Sequence, residues 1–168
     1  GLLGIPGQVG GAVRMNAGTR FGEMADALEA VEIFHQGRFE VFRPEELGFA
    51  YRTSHLPPGG IVTRVRLRLQ ERPQEKIRRR LMEVDRARKG QPKRKSAGCA
   101  FKNPPGQSAG RLIDQRGLKG LRVGGAMVSL EHGNFIVNLG NARFEEVMAL
   151  VQRIQEELPL ELEWEVWA

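Results

Sequence analysis

Residues 4–18 read GIPGQVGGAVRMNAG, with five glycines, one proline and one asparagine in fifteen positions. Gly4, Gly7 and Gly10 recur at every third residue, and Gly11 and Gly18 follow. Glycine is used where φ must be positive or where another group approaches the main chain closely. Crowded in this way, the loop is expected to turn bare N–H groups toward one ligand of phosphate type, because successive backbone amides form anion-binding concavities. A plain glycine-rich connection has the same composition. The pattern is not a G-x-G-x-x-G dinucleotide fingerprint, which requires a preceding strand that residues 1–3 do not supply.

Outward from this loop, the 168 residues suit one domain or one and a half, and 40% hydrophobic with 27% charged residues reads as a soluble globular chain. No apolar run approaches the ~20 residues of a membrane span, so no membrane partner is expected. The single cysteine, Cys99, excludes an internal disulfide and fits a reducing, cytoplasmic compartment. Cys99 and three scattered histidines lack ligand spacing, and no metal is expected. Lys plus Arg exceed Asp plus Glu by 26 to 20, a net charge of +6 that favours polyanionic partners. The densest basic stretch runs from Arg86 to Lys95 without an interleaved aromatic residue. It therefore lacks the stacking platform of a single-strand binder and reads as a solvated helix end and linker.

The pattern predicts a hairpin over 28–43 with its turn at Gln36-Gly37. A half-buried strand is predicted over 61–69, with Val65, Leu67 and Leu69 inward and Arg64, Arg66 and Arg68 outward. Pro73 opens a helix striped by Ile77, Leu81 and Val84 and stopped by Gly90 and Pro92. The domain boundary is expected near 70–73. Beyond it come a short strand at 96–101, a helix capped by Ser108 and ending at Gly117, and strands at 126–129 and 134–139. An amphipathic helix follows over 143–158, with Phe144, Val147, Met148, Val151 and Ile154 inward. Pro159 breaks it. The last segment, Leu160 to Trp167, alternates as a strand with Glu161, Glu163 and Glu165 on one face.

Short motifs punctuate these elements. Gly4-Ile5-Pro6-Gly7 with Gly10-Gly11-Ala12 and Met15-Asn16-Ala17-Gly18 opens the series, and Tyr51-Arg52-x-Ser54 follows. Then come Ser96-Ala-Gly-Cys99-Ala-Phe-Lys102-Asn103-Pro104, Gly117-Leu-Lys-Gly120, Gly124-Gly-Ala126, His132-x-Asn-Phe-Ile-Val-Asn138 and Leu162-Glu-x-Glu165-Val166. In this order they resemble the UDP-N-acetylenolpyruvoylglucosamine reductase family, flavoenzymes of peptidoglycan precursor synthesis, over nearly the whole chain. The uninterrupted passage from Tyr51-Arg52 to the strand at 61 is similar to the family's shorter subtype. Two departures from the family pattern stand out. Cys99 occupies a slot where the family carries serine, and the chain lacks the usual I-G ending after Val166.

The resemblance implies an α+β fold. Residues 1–70 would be the C-terminal part of an FAD-binding domain of the p-cresol methylhydroxylase-like type. Residues 73–158 would form a small α/β substrate-binding domain, and 159–168 a returning C-terminal strand. A further N-terminal flavin-binding lobe would precede the opening glycines, which then read as the middle of a longer protein. The implied reaction is NADPH-dependent, FAD-mediated reduction of UDP-N-acetylglucosamine enolpyruvate to UDP-N-acetylmuramate. Gly4, Ile5, Pro6, Gly7, Gly10, Gly11, Asn16, Ala17 and Gly18 would contact FAD. Tyr51, Lys102, Asn103 and His132 would contact the UDP-sugar.

Arg52, Cys99 and Glu165 are the implied catalytic residues. Hydride addition beside a carboxylate leaves an enolate, which needs cationic or hydrogen-bonding groups at its oxygens and an acid at the adjacent carbon. Arg52 suits the first need, since a guanidinium can grip a carboxylate through two bonds, although surface ion pairing is an arginine's commoner fate. Cys99 takes the acid position; a thiol can donate a proton and a thiolate cannot. Without the motif it reads as a small buried hydrophobe. Glu165 would help stabilise the enolate, against the plainer reading of a solvated edge strand. Two alternatives stand beside this reading: another flavin oxidoreductase on the same scaffold, and a basic nucleic-acid-binding module built on residues 86–95.

Overall fold

The computed structural model describes residues 2–166, and these fall into two compact units that divide after Arg88. The first unit opens with a short helix, α1 (Val9–Arg14), and a two-stranded ribbon of β1 (Gly18–Thr19) and β2 (Gly22–Glu23). Strands β3 (Leu28–His35), β4 (Arg38–Phe42) and β5 (Ile61–Leu67) follow, then helix α2 (Gln74–Ala87). β3 is the centre of an antiparallel sheet ordered β4-β3-β5. The predicted hairpin forms, with Gln36 and Gly37 at φ 49° and 78°, the left-handed pair that a two-residue turn of matching twist requires. Val13, Met24, Leu28, Val31, Ile33 and Leu47 make the core.

β5 departs from the predicted phase. The strand stops at Leu67, Leu67 and Leu69 are exposed, and Val62 and Val65 are the residues that pack against the core. The cause is a register shift between Glu32 and Ile33: Arg64 lies opposite Glu32 while Val62 lies opposite Ile33. An extra residue at such a shift lets two valines three positions apart face the same side.

α2 is the helix predicted from Pro73, which serves as its N-cap. It belongs with the first unit, so the division falls after the helix rather than near 70–73. The Arg80 guanidinium lies 4.6 Å from the centre of the Phe21 ring, a cation–π contact that ties α2 to the β-ribbon turn. Of the predicted apolar stripe only Val84 is buried; Ile77 and Leu81 remain 46% and 47% exposed.

The second unit holds α3 (Ala109–Gln115), β6 (Arg122–Val123), β7 (Ala126–Val128), β8 (Ile136–Asn138) and α4 (Phe144–Glu157). The three strands form an antiparallel sheet in sequence order, and Phe101, Ile113, Val128, Ile136, Leu150 and Ile154 are central to the core. Ser108 caps α3 as predicted, its Oγ accepting from Arg111 N at 3.4 Å. Along α4, Leu150, Val151 and Ile154 are buried, whereas Phe144, predicted inward, is 56% exposed. The predicted strand at 96–101 reduces to isolated bridges, Cys99–Phe135 and Phe101–Leu162. The closing alternation is reduced likewise to the bridge at Leu162, with Glu161 and Glu165 exposed and Glu163 half-buried. The 96–101 stretch beside it forms no regular strand for it to extend. Trp167, also placed in that strand, lies outside the described residues.

The Gly124-Gly125 pair has a specific cause. Gly124 has φ 52°, and a Cβ there would stand 2.1 Å from Glu146 Oε1; one on Gly125 would stand 2.5 Å from Ala142 N. The close approach lets Glu146 Oε2 accept from both Gly125 N and Arg143 N at 3.0 Å. These backbone donors, first that of Arg143 and then that of Gly125, hold the Glu146 carboxyl below its ordinary value. A depressed carboxyl stabilises the fold above its unfolded value and loses that contribution as pH falls through the folded one. Glu146→Gln should therefore lower the thermal midpoint at neutral pH, and the gap should close on acidification. A gap that is constant from neutral to acid pH would contradict this assignment.

Candidate active site

In the first unit, the glycine loop leads into α1 and ends at the β1–β2 ribbon. Gly4 and Gly7 have φ of 75° and 120°, a region open to glycine and costly for other residues. Gly7 and Gly11 face open space where a side chain would stand. Gly10 instead packs toward Val62 of β5. Ile5 and Pro6 lie between the two left-handed glycines, with Ile5 N donating back to Leu2 O at 3.2 Å. Gly18 is held for a packing reason, since a Cβ there would meet Glu23 Cβ at 2.5 Å across the ribbon. Ala17 N donates to Ala12 O at 2.8 Å and its carbonyl accepts from Met24 N at 2.8 Å.

Asn16 is fully buried, at φ 40°. Its Nδ2 donates to Ala50 O at 3.1 Å and its Oδ1 accepts from Ala25 N at 3.0 Å. The side chain thus joins three separate stretches of the unit. Arg52, also left-handed at φ 53°, spans the same turn: Nη2 donates to Gly18 O at 2.7 Å and Nη1 reaches Asn16 O at 3.5 Å. Its guanidinium lies 4.9 Å from the centre of the Tyr51 ring, and Ser54 Oγ donates to Arg14 O at 2.7 Å. The structure therefore brings Arg52 and Ser54 onto the backbone of the glycine-rich segment, with the Tyr51 ring against the Arg52 guanidinium. Arg88, in sequence part of a solvated basic run, donates through Nη2 to Gly4 O. Sequence shows only its place in a charge run, and nothing there marks it as a loop contact.

In the second unit, Cys99 is partly exposed, against the expectation of a buried small hydrophobe, and bridges to Phe135. Lys102 N donates to Glu161 O at 2.8 Å, and its ammonium meets Glu161 Oε1 at 2.6 Å. The ammonium is mostly covered and the carboxylate exposed, at 20% and 72% of their side-chain surfaces. Asn103 Oδ1 accepts from Ala109 N at 2.9 Å, at the start of α3. His132 Nδ1 accepts from Asn134 N at 3.2 Å, which leaves the ring proton of the neutral form on Nε2. Burial first, and the Lys119 charge second, lower the His132 pKa and favour that neutral form.

Glu165 stands on a cleft of about 490 Å³ within this unit. Ser96, Ala97, Val137, Phe144 and Trp164 contribute to its walls. The cleft is mostly apolar, with Lys95 and Glu165 as its charged residues. The Cys99–Lys102 segment and the Glu161–Glu165 segment run side by side, joined by Glu163 N to Ala100 O at 2.8 Å. Cys99, Lys102 and Glu165 thus come from two adjacent chain segments, while Asn103 and His132 flank them at α3 and before β8. Among the described residues no cluster could hold a metal ion, and no helix is long and apolar enough to cross a membrane.

Comparison with known proteins finds relatives along the whole chain. The C-terminal domain of UDP-N-acetylenolpyruvoylglucosamine reductase matches residues 91–167. The UDP-N-acetylenolpyruvoylglucosamine reductase of Thermus thermophilus is 83% identical over 99% of the chain, and that of Deinococcus radiodurans is 54% identical over 99%. The crystal structure of the corresponding reductase from Thermus caldophilus superposes with a TM-score of 0.95 over the whole chain at 83% identity. The chain spans 63% of the length of the Thermus proteins and 58% of the Deinococcus protein. Sequence and fold point the same way: residues 91–167 match the C-terminal domain of UDP-N-acetylenolpyruvoylglucosamine reductase, and the chain is similar to that reductase along its whole length.

Proposed function

We propose that this chain forms the larger part of a flavoenzyme that reduces UDP-N-acetylglucosamine enolpyruvate to UDP-N-acetylmuramate with NADPH. The observation that carries the proposal is the 83% identity to the Thermus reductase along the whole chain. In this reading the first unit is part of the FAD-binding domain and the second is the substrate-binding domain. The open space at Gly7 and Gly11 fits a bulky group lying against bare backbone, as a flavin nucleotide would. Gly4 to Gly11 and Asn16 to Gly18 would hold it. Asn16 would act by fixing the turn, because both ends of its amide are bonded within the unit. Bound FAD supplies hydride chemistry, carrying two electrons from NADPH to the enolpyruvyl double bond.

The chain's own residues would do the rest. Arg52 would stabilise negative charge on the substrate carboxylate as the enolate forms. Cys99 would give its proton to the carbon adjacent to that carboxylate, leaving a thiolate that solvent reprotonates. Glu165 would help hold the enolate from the cleft wall. Lys102 and Asn103 would contact the diphosphate and neighbouring groups, with Lys102 exchanging Glu161 for phosphate; His132 would donate from Nε2. The nucleic-acid alternative is not favoured, since Arg88 of the basic run is turned onto Gly4 and the relatives are reductases.

The test is an assay of the chain carried at the full length of its relatives. NADPH oxidation should depend on the enolpyruvyl UDP-sugar, and its absence in a flavin-loaded preparation would refute the reading. The 168-residue chain alone should bind FAD weakly, because an N-terminal lobe would supply the remaining contacts. Stoichiometric yellow flavin copurifying with that chain would contradict the divided-site picture.

A further inference from the structure

The residues that flank the reacting groups in this reading lie on a stretch with no strand ladder to hold it. Cys99 to Lys102 makes only isolated bridges to its neighbours. One side chain supplies what a ladder would. Asn134 is 2% exposed; its Nδ2 donates to Phe101 O at 2.7 Å and its Oδ1 accepts from Phe101 N at 2.9 Å. A side-chain amide carries the same donor and acceptor as a peptide group, so Asn134 meets Phe101 as a strand partner would. Its own carbonyl accepts from Ala100 N at 2.8 Å. Its own N–H is taken by His132 Nδ1 at 3.2 Å. On the other side, residues 161 and 163 bond Lys102 and Ala100.

We propose that Asn134 is a positioning residue for the reaction, clamping the Phe101 peptide so that Cys99 and Lys102 are held at fixed places on either side of it. The role in turnover rests on the functional reading above; the clamp itself rests on the geometry alone. The substitution Asn134→Asp separates the two states of the clamp. When the introduced carboxyl is protonated, it donates O–H to Phe101 O and accepts from Phe101 N, reproducing the amide. When it is ionised, a carboxylate oxygen is set against the Phe101 carbonyl, and burial moves that ionisation upward toward neutral pH.

Cys99 is the sole cysteine, so its thiol reports on this segment without labelling. Its reaction with 4,4′-dithiodipyridine should be followed in the folded parent and in Asn134→Asp, and the ratio of rates taken at each pH to cancel the thiol's own titration. The ratio should be near one in mild acid and rise about tenfold above neutrality as the clamp opens. Asn134→Leu, which keeps the branched outline and removes both bonds, should raise the rate by a similar factor at every pH and serves if the aspartate variant unfolds. Rates within about twofold of the parent for both variants across the range would overturn the clamp.

The second arm uses the full-length flavoprotein. The kcat of Asn134→Asp relative to the parent should fall over the same pH interval as the thiol ratio rises, and recover in acid. A thiol ratio that moves while relative kcat does not would overturn the role in turnover. An inactive parent would instead strike the functional reading, and the thiol measurement would still decide the clamp.

Discussion

Cys99→Ala in the full-length flavoprotein should reduce normally with NADPH and then fail to re-oxidise on addition of the enolpyruvyl UDP-sugar. The difference lies in the two half-reactions. Only the second creates a carbanionic carbon that needs a proton, and alanine has none to give. General acid catalysis of this kind is worth about 10²–10⁴-fold, so the second step should slow by that order while the first is unchanged. Flavin absorbance in a rapid-mixing experiment separates the steps. Cys99→Ser should retain activity, because the motif resemblance implies serine in the same slot. The parent should lose activity at alkaline pH as the thiol ionises, and the serine variant should carry that limb upward. The structure supports the accessibility this demands, because Cys99 is partly exposed beside the segment that leads to Glu165. Re-oxidation of the alanine variant at the parent's rate would make Cys99 a packing residue.

What can be read from sequence divides along a physical line. The 28–43 hairpin and α4 are legible because each repeats one period over several turns and buries one face against its own unit. The phase of β5 is not, because a bulge changes which residues face inward, and no composition marks the place where Val62 and Val65 come to share a side. The Leu160–Trp167 alternation has the right period for a strand, yet a strand also needs a regular partner, and the 96–101 stretch beside it makes only isolated bridges.

The site shows the same division. Motif order singles out the glycine loop, Arg52, Cys99 and Glu165 as candidates. It does not distinguish an asparagine that faces a ligand from one spent inside the fold, so Asn16 reads as a cofactor contact and Asn134 is not singled out. Both are buried with each end of the amide bonded to distant backbone. A buried asparagine has to satisfy its donors and acceptor, and which backbone does so is settled only by tertiary structure.

Arg52→Lys is the second large effect expected, and the structure sharpens it. The guanidinium already spans two carbonyls, Gly18 O and Asn16 O, and lies over Tyr51, so its plane is set before any substrate carboxylate arrives. Such pre-organisation matters most where charge grows during the reaction, since no donor has to be reoriented at that moment. Lysine keeps the charge but has one nitrogen, and it can serve Gly18 O or a substrate oxygen without the fixed fork. The loss should therefore fall on the enolate rather than on the bound ground state. kcat should drop by about 100-fold, roughly 2.7 kcal/mol of transition-state stabilisation, with KM for the UDP-sugar changed by less than about threefold. Flavin content should be measured on the same preparations, because Asn16 and Gly18 belong to the proposed flavin loop. A fall in kcat at full flavin occupancy assigns Arg52 to the enolate. An equal rise in KM with kcat intact would make it a plain binding residue, and a loss of flavin in proportion to activity would make it a brace for the loop.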